Sequence, residues 1–101
     1  MRILAELIEK MDDTMDEIEW YAEKAHAIRH EHKDLADVYI KIASEHIEIY
    51  KMLHAEAVEL IEDERRNGKM PPAEMEAIWR YEHERLVKDF AEVKYLVSEY
   101  K

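Results

Sequence analysis

The chain has 101 residues, 48% hydrophobic and 40% charged, with one Gly, two Pro, no Cys and a formal net charge of −10. That length fits one domain around a single core, the missing thiols exclude a disulfide framework and Cys-bound zinc, and the few breakers favour helix over sheet. No apolar run reaches the roughly 18–20 residues of a membrane span and no signal peptide is evident, so a cytoplasmic protein is expected.

The first helix is expected over about residues 3–30. Its apolar positions Leu4, Leu7, Ile8, Met11, Met15, Ile18, Ala22 and Ala25 hold a helical spacing throughout. Glu19 falls inside that stripe. The polar stretch Glu31-His32-Lys33-Asp34 reads as a turn, with Asp34 as the N-cap of the next helix. His26, His30 and His32 are expected at the surface near this turn.

The second helix is expected over about residues 35–66. Its main stripe is Leu35, Tyr39, Ile42, His46, Ile49, Leu53, Ala57 and Leu60, flanked by a second strip of Ile40, Ala43, Ile47, Tyr50, Val58 and Ile61. An apolar arc that wide contacts neighbours on more than one side, in a bundle centre or an oligomer interface. Asn67-Gly68 ends the helix, and Arg65 and Arg66 complement its C-terminal dipole. Met70-Pro71-Pro72 excludes helix, and Pro72 suits the first turn of a third helix over about residues 73–100. That helix carries Met75, Ile78, Trp79, Glu82, Leu86, Phe90, Val93, Val97 and Tyr100 as its stripe. Short connections imply an all-α, antiparallel three-helix bundle, 1–101, whose exposed apolar edges favour a dimer making a larger bundle.

Residues 1–64 hold 18 acids against 7 bases, and residues 65–101 hold 7 against 8. A candidate acidic interaction surface comprises Asp12, Asp13, Asp16, Glu17, Glu59, Glu62, Asp63 and Glu64. Such a surface repels nucleic acid and anionic lipid and attracts a basic protein or cations.

A titratable group within a core stripe must be paired, hydrogen-bonded or metal-bound. With the first turn near residues 32–33, Glu19 falls opposite His46, with Glu45 beside it, Glu23 one turn further along and His26 level with Tyr39. A Glu from one helix with Glu and His from another is the ligand set of a carboxylate-bridged iron or manganese site. Glu19, Glu23, Glu45, His46 and Glu48 are therefore candidate ligands; a buried Glu–His pair that fixes register is the competing explanation. With the second turn near residues 69–70, Glu82 falls opposite Ala57 and His83 opposite Glu56. His54 lies within a turn of that level, so Glu82, His83, Glu56 and His54 form a candidate buried polar set. No nucleophile is assigned: the chain has no Cys, only Thr14, Ser44 and Ser98 as Ser or Thr hydroxyls, and no Gly-rich phosphate loop.

Several stretches carry a family likeness: Glu19-Trp20-Tyr21-Ala22, Asp34-Leu35-Ala36-Asp37-Val38-Tyr39, Ala43-Ser44-Glu45-His46 and Met52-Leu53-His54. With Pro71-Pro72-Ala73-Glu74-Met75, Trp79, Tyr81 and His83 they make the chain resemble small ferritin-like proteins encoded by phages and prophages. The resemblance implies a rubrerythrin-like helical hairpin plus a third helix. In that family the first helix supplies a metal-binding Glu, matched by Glu19, and the second a Glu-x-x-His. Here Glu48 follows Glu45 at that spacing and Ala43 precedes His46, so the motif is incomplete. The expected function is therefore a non-enzymatic, phage-type interaction module, an acidic inhibitor or decoy for a basic host protein that needs no cofactor. The alternative is an iron- or manganese-binding protein with a degraded oxidase site.

Overall fold

The computed structural model describes residues 2–68 and 73–100, apart from the side chains of Glu74, Met75 and Ile78. They form three helices, α1 (Arg2–Ile28), α2 (Lys33–Arg66) and α3 (Ala73–Ser98), and no strand occurs among the described residues. The all-α class expected from the sequence is what is found. None of these helices is long and apolar enough to cross a membrane. Met70, Pro71 and Pro72 lie outside the described residues, as do the Met75 and Ile78 side chains assigned to the third stripe.

The helix ends follow local chemistry. Asp34 does not cap α2, contrary to expectation. The helix opens two residues earlier, behind His32, whose side chain makes no capping bond, and Asp34 sits in the first turn. Its charge there still complements the helix dipole. At the other end, the Asn67 amide donates to the Asp63 carbonyl at 3.0 Å and the Gly68 amide to that of Arg65 at 3.2 Å. Gly68 has φ of 70°, the left-handed conformation that a Cβ penalises.

α1 buries the face its periodicity indicates: Leu4, Ile8, Met11, Met15, Ile18, Ala22 and Ala25. α2 does not. Its buried residues are Ala36, Ala43, Ile47, Tyr50, Ala57 and Ile61, so the flanking strip is the core face. Of the expected main stripe only Ala57 is buried, while Leu35 and Ile49 are exposed. At 100° per residue the two strips lie about a quarter-turn apart. Small residues explain the choice: Ala22 and Ala25 of α1 and Ala36, Ala43 and Ala57 of α2 are all wholly buried. A methyl side chain lets neighbouring backbones approach where Leu or Ile would hold them apart.

α3 contributes Leu86 and Val93 to the core, with Trp79, Phe90, Leu96 and Val97 partly buried against it. Its contacts with α2 pair Arg65 with Glu76, His54 with His83 and Tyr50 with Phe90, so the two run in opposite senses. Against α1 the order is Asp12 with Arg85, then His26 with Leu96, so those two run in the same sense. The contact between α1 and α2 is by far the largest, and α3 touches α2 least. The whole measures 56 × 19 × 18 Å.

Among the described residues no charged side chain is fully buried. Glu19, His46 and Glu82, read from the sequence as titratable core positions, are half-buried at the stripe margins. Glu56 is exposed, so the Glu82, His83, Glu56 and His54 set is not a buried one. At the margin a long side chain keeps its head in water and avoids the desolvation a core position would impose.

The choice of face on α2 separates two isoleucines two residues apart. Ile47→Ala should cost about 2–5 kcal/mol and Ile49→Ala less than about 1 kcal/mol. Urea unfolding in dilute solution checks this, and equal costs would place the core on the other strip.

Candidate functional site

The most charged feature of the molecule lies where α1 and α3 meet. Glu19 of α1 is half-buried, and its carboxyl is raised above the usual carboxylate range. Burial is the largest cause, followed by the charges of Asp89, Asp16, Glu23 and Glu92, all of them carboxylates. Like charges around a partly desolvated acid disfavour its ionised form. One turn and more towards the N-terminal end of the seam, Arg85 Nη2 donates to Asp12 Oδ1 at 2.5 Å and to Glu82 Oε2 at 2.8 Å. That guanidinium is raised, chiefly by its bond to Glu82. The seam thus has a section where Arg85 offsets part of the charge of Asp12 and Glu82, and a section of carboxylates at Asp16, Glu19, Glu23, Asp89 and Glu92 with no ion pair among the described residues.

Tyr50 reaches the same region from α2. The residue is buried and its hydroxyl has no hydrogen-bond partner among the described residues. Burial, with the charges of Asp89 and Asp12, pushes its pKa up to about 12. It therefore stays protonated.

The remaining acids of the candidate surface are arranged differently. Asp13, Asp16, Glu17 and Glu62 are exposed, and Glu64 is half-buried. Glu59 and Asp63 both accept from Arg66 Nη2, which cancels part of the charge on α2. Asp89 and Glu92 carry no mark of their own in the sequence. The signal that finds them is the same-sense register of α1 and α3, which sets residue 19 level with residues 89–92.

The candidate metal ligands do not converge. Glu45 is exposed and Glu48 bonds Lys51 at 3.1 Å. His46 Nδ1 lies 3.0 Å from the carbonyl of Ile42 on its own helix, and its ring centre is 6.0 Å from that of Tyr21. Glu23 is exposed beside Glu19. Among the described residues no group of three or more His, Asp or Glu side chains is placed to hold a metal ion.

Two histidine arrangements tie α3 down. His26 was expected at the surface level with Tyr39, but it is half-buried against α3 instead. Its Nδ1 accepts from Arg29 Nη1 at 2.8 Å, which leaves Nε2–H to donate to the Leu96 carbonyl at 2.8 Å. Tyr100 packs edge-on to His26 and donates to Asp37 Oδ1 at 2.8 Å. Midway along α3, His54 Nε2 and His83 Nε2 lie 2.8 Å apart. The rings are inclined by 15° with centres 4.9 Å apart. That separation is close to the Nε2···Nε2 distance plus one ring radius at each end, so the imidazoles meet nitrogen to nitrogen and do not overlap face on face. One Nε2–H must donate to the bare Nε2 of the other, which requires at least one neutral ring. No known protein family, curated protein or solved structure matches the chain.

The His54 imidazole is lowered below its ordinary value of 6.5, first by burial and then by His83. The folded chain binds that proton less readily than the unfolded chain. Its contribution to stability is therefore complete above pH 6.5 and is lost as pH falls from there through the lowered folded value. Comparing thermal unfolding of the parent with His54→Gln from pH 7.5 to 5 should show the parent losing an extra fraction of a kcal/mol, small because the ring is partly solvated. Parallel curves would contradict this.

Proposed function

We propose that this chain is a non-enzymatic protein-interaction module of phage type, a ferritin-like helical bundle that pairs with a second copy. In this reading the α1/α3 seam meets a basic host protein in the bacterial cytoplasm, as an acidic inhibitor or decoy. One observation carries it: every charge acting on half-buried Glu19 is another carboxylate. In the free chain that crowding is unfavourable. A Lys or Arg supplied across an interface would relieve it, so the crowding favours a cationic partner. The same field disfavours nucleic acid and anionic membranes. The scatter of Glu45, His46 and Glu48 away from Glu19 makes the iron or manganese reading the weaker one.

Pairing with a second copy rests on the face α2 leaves uncovered. Leu35, Val38, Ile49 and Met52 are exposed along it, and Trp20 of α1 lies beside Tyr39 with ring centres 5.6 Å apart. The stripe is roughly 26 Å long at 1.5 Å per residue, and it lies on the other side of the helix from the residues that meet α3. An apolar strip of that length marks an interface more often than a free surface.

Immobilised protein should retain basic nucleic-acid-binding proteins from bacterial lysate, and duplex DNA should displace them. Retention should fall about tenfold or more in about 0.5 M salt and with Asp16→Lys plus Asp89→Lys. Recovery of only neutral or acidic proteins, or retention indifferent to the charge reversals, rejects the proposal. For the second copy, light scattering should give twice the mass of one chain. Ile49→Glu with Met52→Glu should halve that mass without loss of helix content; a parent that is monomeric at high concentration rejects the pairing.

A further inference from the structure

The geometry points to a metal site distinct from the expected one: His54 of α2 and His83 of α3 form a two-imidazole clamp for a divalent transition-metal ion such as Zn2+, Ni2+ or Cu2+. Two ring nitrogens on different helices already face each other at 2.8 Å, with the ring centres behind them 4.9 Å apart. Neutral imidazole nitrogen is a good ligand for these ions. Burial and the neighbouring ring keep His54 in that neutral form.

Exchange of the hydrogen bond for an ion balances without any other reactant. Each neutral ring carries one N–H. The ring that donates through Nε2 moves its proton to Nδ1, and both Nε2 lone pairs then bind the metal. Nothing is oxidised and no proton need leave the pair. At a metal–nitrogen distance of about 2.0–2.1 Å, a tetrahedral centre needs the two Nε2 atoms roughly 3.3 Å apart. The ion sits to one side of the line between the nitrogens, so the site needs an opening of a few tenths of an ångström together with a turn of both rings towards the ion, at the sparsest contact among the described helices.

The surroundings leave room for further ligands and do not repel a cation. His54 lines a groove on one side with Lys51, Val87 and Phe90, and His83 lines one on the other with Val58, Glu62 and Trp79. Water can complete the coordination sphere from either groove. The cationic neighbours are already partnered: Lys51 bonds Glu48 at 3.1 Å, and Arg65 bonds Glu76 at 2.8 Å. A site with two protein ligands binds weakly and exchanges readily.

Trp79 supplies the readout, because its ring centre lies 4.9 Å from that of His83. In a Trp20→Phe background it is the sole indole, and Cu2+ at the clamp should quench it. His54→Gln and His83→Gln should each raise the half-quenching concentration about tenfold or more, while exposed His30→Gln leaves it unchanged. Glutamine can still hydrogen-bond the remaining imidazole, and circular dichroism confirms that each variant is folded. Zn2+ added first should protect the parent from Cu2+. Quenching insensitive to both Gln substitutions, or unaffected by Zn2+, overturns the site.

Discussion

The close contact between α1 and α2 is the constraint from which the rest follows. Ala22 and Ala25 meet a helix whose own buried face contains Ala36, Ala43 and Ala57, all without exposed surface. Dispersion and burial reward the approach that methyl groups allow, and larger residues fill the spaces between them: Met11, Met15 and Ile18 from α1, Ile47 and Ile61 from α2. Once α2 is turned to this face, its larger aliphatic side chains Leu35, Ile49 and Met52 must point outward. The uncovered apolar strip is thus a consequence of the tight hairpin, and it supplies the surface on which a second copy is proposed to pack.

α3 is attached by other means. Among its described side chains only Leu86 and Val93 are fully buried. The rest of its hold is polar or aromatic and spread along the helix: Arg65 to Glu76 near one end, Tyr50 stacked on Phe90 with ring centres 5.1 Å apart, and His26 to the Leu96 carbonyl near the other. Partly exposed ion pairs such as Arg85 with Asp12 contribute about 0–1 kcal/mol each. Their value is directional, since together they set the register of α3, and the register decides which charges face one another.

Periodicity carried most of the fold. The α1 stripe matches its buried face residue for residue apart from half-buried Leu7, and Leu86, Phe90 and Val93 fall where the third stripe puts them. For α2 the pattern was ambiguous in a physical sense. Two strips a quarter-turn apart were both apolar, and the larger side chains suggested the wrong one because hydrophobicity alone ignores how closely backbones can pack. The site was harder to see. The two turns fix the level of α1 against α2 and of α2 against α3, which sets His54 and His83 near one level, but no turn joins α1 to α3, so the sequence does not mark Asp89 and Glu92 as neighbours of Glu19. Marginal positions were the other source of error. Glu19, His46 and Glu82 sit in stripes on a helical wheel, yet long side chains at a stripe edge reach water, and no wheel records that reach.

The two flanks of α3 carry opposite electrostatic problems, and this gives the helix a role beyond covering a hairpin. Towards α1 it presents Asp89 and Glu92 to Glu19, where closeness costs energy unless a cation arrives. Towards α2 it presents His83 to His54, where closeness is favourable only while at least one ring stays neutral. Between the flanks Tyr50 lies in the core with a hydroxyl that remains protonated and has no hydrogen-bond partner among the described residues. A cation bound at the seam would therefore draw α3 towards α1, whereas charging both rings of the histidine pair would push it from α2. Neither effect requires the tight contact between α1 and α2 to change. Any response of this molecule to partner, acid or metal should accordingly appear first as a shift of α3 against a hairpin that stays as it is.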